Sequence, residues 1–340
     1  MLYKESLFPV YWSIEEKAIQ GAKNILKEFS IDRAIWLVTP SVSNLVPGNC
    51  IGEIIVFPNE KQRNINELEK ARHFLFKEPS SAIVGFGGGR VIDNAKLLAK
   101  ETSRNFISIP SVLSSDAIAS PISVIDYVNK RVRISALPPK IVIVDLDIIK
   151  RAPRIHNLAG VGDLIANLSA VKDWILAEKK GIEYINPLVK YLAYTPPFKL
   201  LNINYKLEEN EFLSTLAEGL ILSGASMTIE GDSRSASGSE HNISHALDKI
   251  LGERRNLHGI QVGFATLLTL YLQKQGELFQ NVKEFYKRIG FPIEFSELGI
   301  EKETFVEAVK LAPTIRERYT ILNEVSKEEI IKAIDEVYGA

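Results

Sequence analysis

Short apolar runs alternate with longer stretches that are apolar on one side only over the first 150 residues. The runs are Ala34–Thr39, Glu53–Phe57, Ala82–Phe86, Phe106–Ile109 and Ile141–Asp145. Each is short and rich in β-branched or aromatic residues, as buried strands are. Ser13–Phe29 and Ile65–Phe76 instead repeat their apolar positions with a helical period. Strands alternating with amphipathic helices predict an α/β, Rossmann-like domain with a mostly parallel sheet. Tyr127–Leu137 is short and carries Lys130, Arg131 and Arg133, so it is expected as an added hairpin strand.

After Asp147 the pattern changes. A loop at Pro153 is followed, from about Leu158, by almost continuous helical periodicity, with Leu164, Leu168, Val171 and Ile175 on one stripe. Helices are predicted at Glu209–Ile229, His241–Ile250, Gly259–Gln275, Gln280–Ile289, Lys302–Leu311 and Lys327–Tyr338. Asn186–Lys206 holds Pro187, Pro196 and Pro197 and is expected to break the run. The expected organisation is an α/β domain over 1–150 and an all-helical domain over 151–340, with no internal repeat.

The chain has 340 residues, 46% of them hydrophobic, enough for two cores. A net charge of -1 supplies no bulk field for nucleic acid or an acidic membrane. The single cysteine, Cys50, excludes an intrachain disulfide and a cysteine-based zinc site. The first residues, MLYKESLF, have no apolar signal core, and no apolar run approaches the length of a membrane span. The expected location is the cytoplasm.

Three segments carry candidate chemistry. Ala82 to Lys96 reads as strand, glycine turn and helix start, with Gly85, Gly87, Gly88 and Gly89 at the turn. Glycine lets a backbone approach a phosphate, and the N–H groups opening a helix favour the anion. The common dinucleotide fingerprint fails at its third glycine position, which holds Arg90, and no Gly-Lys-Ser/Thr follows as in a P-loop. The plain alternative is a tight turn without ligand, with Asp93 and Lys96 as a first-turn acid and a solvated base. Next, Ile107 to Pro121 is a strand end and a loop with Ser111, Ser114, Ser115, Asp116 and Ser120, which fits either ligand hydrogen bonding or ordinary turn chemistry.

The third segment holds three of the five histidines. His241 and His245 are four apart and share a helix face; His258 precedes Gly259 and an apolar helix. Upstream, Asp163 stands beside a buried stripe. One aspartate and two histidines with an open fourth position form the donor pattern of a catalytic zinc site. The alternative is a set of hydrogen-bonded core histidines, the reading kept for His73 and His156.

In order, the chain reads Gly-Gly-Gly-x-x-x-Asp-x-Ala-Lys, Pro-Ser-x-x-Ser-Ser-Asp-x-x-x-Ser, Gly-Asp-x-x-x-Asn, Gly-Ser-Glu-His-x-x-x-His-Ala and His-Gly-x-x-Val-Gly. This ordered set resembles the superfamily of glycerol dehydrogenase, dehydroquinate synthase and iron-containing alcohol dehydrogenase over roughly residues 30 to 270. Within it, Ser233 to His241 is most similar to the archaeal glycerol-1-phosphate dehydrogenase family. The resemblance implies a dehydroquinate synthase-like architecture and NAD(P)H-dependent, zinc-assisted, reversible reduction of glycerone phosphate to sn-glycerol 1-phosphate for membrane phospholipid synthesis. It implies that Gly87, Gly88, Gly89, Arg90 and Val91 hold the cofactor pyrophosphate, and that Ser111, Ser114 and Ser120 contact the cofactor. It further implies that Asp116 contacts substrate, that Asp163, His241 and His258 hold one zinc per chain with Asp163 also near substrate, and that His245 contacts substrate and helps relay the proton. The implied partner is a small phosphorylated triose, and the implied state a homo-oligomer.

Two positions depart from the family pattern: Ser111 stands where many members have threonine, and Ser235 where proline is usual. Iron-type members place a further histidine ligand where this chain has Asn167, which favours zinc over ferrous iron. Glycerol dehydrogenase activity on unphosphorylated polyols is the alternative function. A lyase like dehydroquinate synthase and a non-catalytic binding protein are weaker ones. Arg234, Lys172 and Arg254 are candidates for a phosphate site, with surface salt bridges as the competing role. Phe57-Pro58-Asn59-Glu60 offers no clear acid for a ribose hydroxyl, which leaves NADH against NADPH open.

Overall fold

The computed structural model describes residues 9–48, 52–57, 65–78, 81–127 and 130–339. The MLYKESLF segment, Cys50, Pro58-Asn59-Glu60 and the side chains of Lys130 and Arg131 lie outside the described residues. The chain divides into two compact units after Pro153.

The first unit contains strands β1 (Tyr11–Glu15), β2 (Ala34–Val38), β3 (Gly52–Val56), β4 (Ala82–Gly87), β5 (Phe106–Pro110), β6 (Ile122–Tyr127), β7 (Lys130–Ser135) and β8 (Ile141–Asp145). Its helices are α1 (Ala18–Glu28), α2 (Ile65–Lys77), α3 (Gly89–Thr102) and α4 (Leu146–Arg151). Six strands form one parallel sheet in the order β1-β8-β5-β4-β2-β3. The inner strands β2, β4, β5 and β8 are buried along their whole length, hence their unbroken apolar runs. Trp36, Val84, Phe86, Ile107 and Ile143 pack on Ala22, Ile25 and Leu26 of α1. The chain passes from β2 to β3 on one side, then returns to the other flank of β2 for β4. Strand order therefore reverses between β2 and β4, the place where open α/β sheets take ligands.

Two expectations for this unit need correction. Tyr11–Glu15 is an edge strand paired with β8, where helical periodicity is read from Ser13. Only Ser13 of that strand is buried, so its alternation is too weak to separate from the helix that follows. The added hairpin has two strands, β6 and β7, and begins at Ile122 instead of Tyr127.

The second unit is helical: α5 (Arg154–Lys179), α6 (Pro187–Leu201), α7 (Asn210–Glu230), α8 (Ser239–Leu251), α9 (His258–Leu272), α10 (Gly276–Ile289), α11 (Phe295–Leu298), α12 (Lys302–Leu311) and α13 (Lys327–Tyr338). Phe264 of α9 stacks on Tyr338 at 4.3 Å and meets Phe305 edge-on, which ties α12 and α13 to the core. The helix α7 has the length and mean hydropathy, 1.4, of a membrane span. Its window is 67% buried inside the unit, the position of a core helix.

The expected break at Asn186–Lys206 is instead helix α6, with Pro196 and Pro197 inside it. Proline removes the N–H that would reach the carbonyl four residues back. For Pro197 that carbonyl is Ala193, and it accepts a hydrogen bond from Asn167 Nδ2 at 3.3 Å. Asn167 also donates to Ser223 Oγ at 3.0 Å. A side chain from α5 thus repairs the gap, which local sequence cannot reveal.

Candidate functional site

Gly85 and Gly87 make the turn after β4 possible for different reasons. A Cβ at Gly85 would lie 2.8 Å from the Ala95 Cβ, so this glycine lets α3 sit against the strand. That is the packing role which the common fingerprint gives to its third glycine, and it explains why Arg90 is tolerated at that place. A Cβ at Gly87 would lie 1.9 Å from Thr39 Oγ1, at the end of β2. By contrast, a Cβ at Gly88 would meet only Val112, at 3.8 Å, and one at Gly89 nothing within 4 Å. Packing does not require glycine at either. Gly88 is the N-cap of α3 and makes no side-chain cap, while Val91 is buried beneath the first turn. The open space and the positive helix end are what a pyrophosphate needs.

The serine loop is joined to this turn. Ser111 N–H donates to Gly87 O at 2.9 Å. Lys96 is fully buried, not solvated, and pairs with Asp93 at 3.2 Å. Its ammonium donates to Ala117 O at 2.7 Å and Ile122 O at 2.8 Å, with Ser120 Oγ at 3.4 Å. Helix α3 therefore straps the loop at Ala117 and just beyond it, at Ser120 and Ile122. Ser120 is buried with its hydroxyl on Lys96, whereas Ser111, Ser114 and Asp116 are half-buried.

In the helical unit Asp163, His241 and His258 converge, with ligating atoms all within 4.8 Å of one another. His241 Nε2 stands 3.6 Å and His258 Nε2 3.9 Å from Asp163 Oδ1. Donors about 2.1 Å from a tetrahedral zinc lie roughly 3.4 Å apart, so a small contraction would seat one. Two glycines cause this convergence. A Cβ at Gly162 would lie 2.1 Å from Gly259 O, and one at Gly259 1.9 Å from Ala159 O. Only bare backbone lets α5 and α9 approach so closely, and the neighbouring residues are Asp163 and His258.

Second partners fix both imidazoles. Glu240 Oε1 lies 2.9 Å from His241 Nδ1 and accepts from Gly238 N–H at 2.6 Å. Ser244 Oγ lies 3.1 Å from His258 Nδ1 and accepts from Gln261 Nε2 at 3.1 Å. Each histidine thus turns Nε2 toward Asp163, the arrangement typical of metal-ligating histidine. Burial pulls the His241 imidazole down, but the Asp163 and Glu240 carboxylates outweigh it and raise it above its ordinary value. Burial works to raise the Glu240 carboxyl, yet His241 and the Gly238 N–H hold it below the usual range. The His258 side chain is 27% exposed against 5% for Asp163, so the cluster opens on the His258 side. His245 stacks on His258 with ring centroids 5.5 Å apart. Asn167 Nδ2 donates to Ala193 O of α6 and to Ser223 Oγ.

Sequence reasoning overlooked Asp173, Arg316 and Arg318. Asp173 is fully buried and accepts from Ser239 N–H and Oγ, Gln273 Nε2 and Ile321 N–H. It thereby fixes the start of α8 and the segment before α13. Arg316 Nη2 donates to His245 Nε2 at 2.5 Å and Nη1 to Ser237 Oγ at 2.9 Å. No local pattern marks these residues; they lie far from the histidines in sequence. The earlier phosphate candidates are placed differently. Arg234, a phosphate candidate with a surface salt bridge as the competing role, is buried and paired with Glu183. Lys172 lies over the Tyr194 ring, and Arg254 is exposed on a short turn.

Residues 17–153 match the family model of iron-containing alcohol dehydrogenase. The glycerol-1-phosphate dehydrogenase (NAD(P)+) of Pyrococcus horikoshii is 34% identical over 337 residues, covering 96% of each chain. The chain belongs to the glycerol-1-phosphate dehydrogenase family. The enzyme of that name from Aeropyrum pernix is 40% identical over 78% of this chain and 75% of its own. Among solved structures, glycerol dehydrogenase from Schizosaccharomyces pombe matches with a TM-score of 0.77 at 24% identity, covering 97% of this chain and 89% of that one. That likeness extends to the fold alone.

Proposed function

We propose that this member of the glycerol-1-phosphate dehydrogenase family reduces glycerone phosphate to sn-glycerol 1-phosphate with NADH or NADPH, reversibly, for phospholipid synthesis. The observation that supports it most is the converged Asp163, His241 and His258 in a chain 34–40% identical to enzymes of that name. A bound divalent metal supplies Lewis acidity at a ketone oxygen, and the reduced nicotinamide supplies the hydride. One carboxylate and two imidazoles, with Asn167 committed to α6, are a donor set suited to zinc.

The chain's own residues bind and orient. Gly87, Gly88, Gly89, Arg90 and Val91 offer the backbone turn for the pyrophosphate, and Ser111, Ser114 and Ser120 line the loop joined to it. Lys96 keeps that loop in register. Glu240 and Ser244 hold His241 and His258 with Nε2 toward Asp163. Asp116 accepts a hydrogen bond from a substrate hydroxyl. His245 contacts substrate and serves the proton transfer. A guanidinium only donates, so His245 Nε2 accepts from Arg316 and its proton resides on Nδ1. For His245 to deliver a proton from Nε2, Arg316 must leave that atom, which must be protonated first.

Cofactor oxidation with glycerone phosphate and with dihydroxyacetone, followed by chiral analysis of the product, tests this reading. It predicts strong preference for the phosphorylated ketone and a single enantiomer. Preference for dihydroxyacetone would make the protein a glycerol dehydrogenase; two matching structures, a glycerol dehydrogenase and a probable one, are only 24% and 20% identical.

A further inference from the structure

We propose that Arg316 and Arg318 bind the phosphate group of the substrate and set the preference for a phosphorylated over a free ketone, a role that rests on the reading above. The two arginines stand on the segment between α12 and α13, and both are half-buried. Arg316 donates to His245 Nε2, and the His245 ring stacks on the metal-ligand candidate His258. The guanidinium is therefore one ring width beyond the ligand cluster. In glycerone phosphate the phosphorus is a few bonds from the carbonyl oxygen, a comparable separation.

Arg318 approaches the same place from the next turn of backbone. Its Nη1 donates to Ser237 O at 2.5 Å and Ser233 O at 3.4 Å, and Arg316 Nη1 donates to Ser237 Oγ. Both guanidiniums thus meet at Ser237, two residues before the start of α8. The segment is held there by interactions independent of the two arginines. Arg234 Nη2 donates to Tyr319 O at 2.8 Å, and Ile321 N–H donates to Asp173 Oδ1 at 2.8 Å.

Phosphate recognition favours arginine, whose planar fork matches two oxygens at once. The Ser237 hydroxyl and the His245 imidazole are neutral acceptors. A phosphate oxygen brings a full negative charge that these neutral acceptors lack, and it competes for the same N–H groups. A free triose offers nothing to draw the arginines from these partners. Of the cations considered from sequence, Arg234 is engaged with Glu183 and Lys172 with Tyr194, while Arg254 is exposed on a turn.

The test uses the full-length, zinc-loaded protein and two readouts: kcat/KM for glycerone phosphate and for dihydroxyacetone, and calorimetric binding of inorganic phosphate. Arg316→Gln and Arg318→Gln are each expected to lower kcat/KM for glycerone phosphate about 100-fold, mostly through KM, because a charge partner of the phosphate is removed. Turnover of dihydroxyacetone is expected to fall less than about ten-fold, and inorganic phosphate binding to disappear. Arg316→Lys, which keeps the charge, is expected to restore part of both. Parallel loss on both ketones with phosphate binding intact would overturn the proposal and leave the arginines as structural. A wild-type protein that does not prefer glycerone phosphate would overturn the functional reading itself, before any variant is made.

Discussion

A methyl group added at Gly89 would meet nothing within 4 Å, whereas one added at Gly259 would lie 1.9 Å from Ala159 O. Both glycines stand in the first turn of a helix, and both flank candidate site residues. In the α/β unit, glycine keeps space clear in front of a helix N-terminus. In the helical unit, glycine removes space so that α5 and α9 can bring Asp163 to His258. The same residue type marks an external requirement in one place and an internal one in the other. Composition does not distinguish them; the surroundings of the absent Cβ do.

The largest effect that tests this contrast is expected from Gly259→Ala. The clash is with backbone, so α9 must shift, with a cost of about 3 kcal/mol or more. Thermal unfolding should show a lowered Tm and metal analysis should show weakened zinc retention. A variant with wild-type Tm and zinc content would remove the packing argument. Next is Glu240→Gln, which leaves the helices together but weakens the hold on His241 Nδ1. Zinc affinity is expected to fall 10–100-fold in chelator competition, a range typical of such outer partners. Gly89→Ala should do the reverse of Gly259→Ala. The helix gains about 0.5–1 kcal/mol from losing glycine, while the KM for NADH rises about ten-fold or more as the space is filled. Unchanged cofactor binding would show that the space at Gly89 has no occupant.

Asp173 sharpens the picture through pH. Burial, then the charge of Glu240, pushes its carboxyl up to about 6. The fold therefore retains this proton at pH values where the unfolded chain has released it. From the ordinary carboxylate range to about 6, this group's contribution to stability falls as pH rises. Asp173→Asn should flatten that slope between about pH 4 and 7. It should also cost on the order of 2 kcal/mol at every pH, because an amide cannot accept from all the donors that meet the carboxylate. The smallest effect is that of Asn167→Ala, which leaves the Ala193 carbonyl without its donor. About 1–2 kcal/mol should be lost with zinc affinity unchanged; a fall in zinc affinity would show that Asn167 does more than support α6.

Much of the fold was legible because the inner strands are buried on both faces and read as continuous apolar runs. Lys302–Leu311 and Lys327–Tyr338 were readable to the residue, since each presents a regular stripe behind a polar N-cap, Glu301 and Ser326. Strand β1 was not, because it lies at the sheet edge with one buried side chain. Helix α6 was not, because its prolines are compensated by Asn167, remote in sequence. The same division holds at the candidate metal cluster. His241 and His245 announce themselves by spacing, and Asp163 and His258 by glycine neighbours. Asp173, Arg316 and Arg318 reach the cluster only through tertiary packing, which leaves no periodic trace.

The measurement that tests the central claim most directly is titration of metal-stripped protein with zinc, following NAD(P)H oxidation by glycerone phosphate. The account predicts no turnover without metal and a linear rise that stops at about one equivalent per chain. The rise should be absent in His241→Ala. Turnover by the metal-free protein, or by His241→Ala to the same extent as the parent, would contradict it.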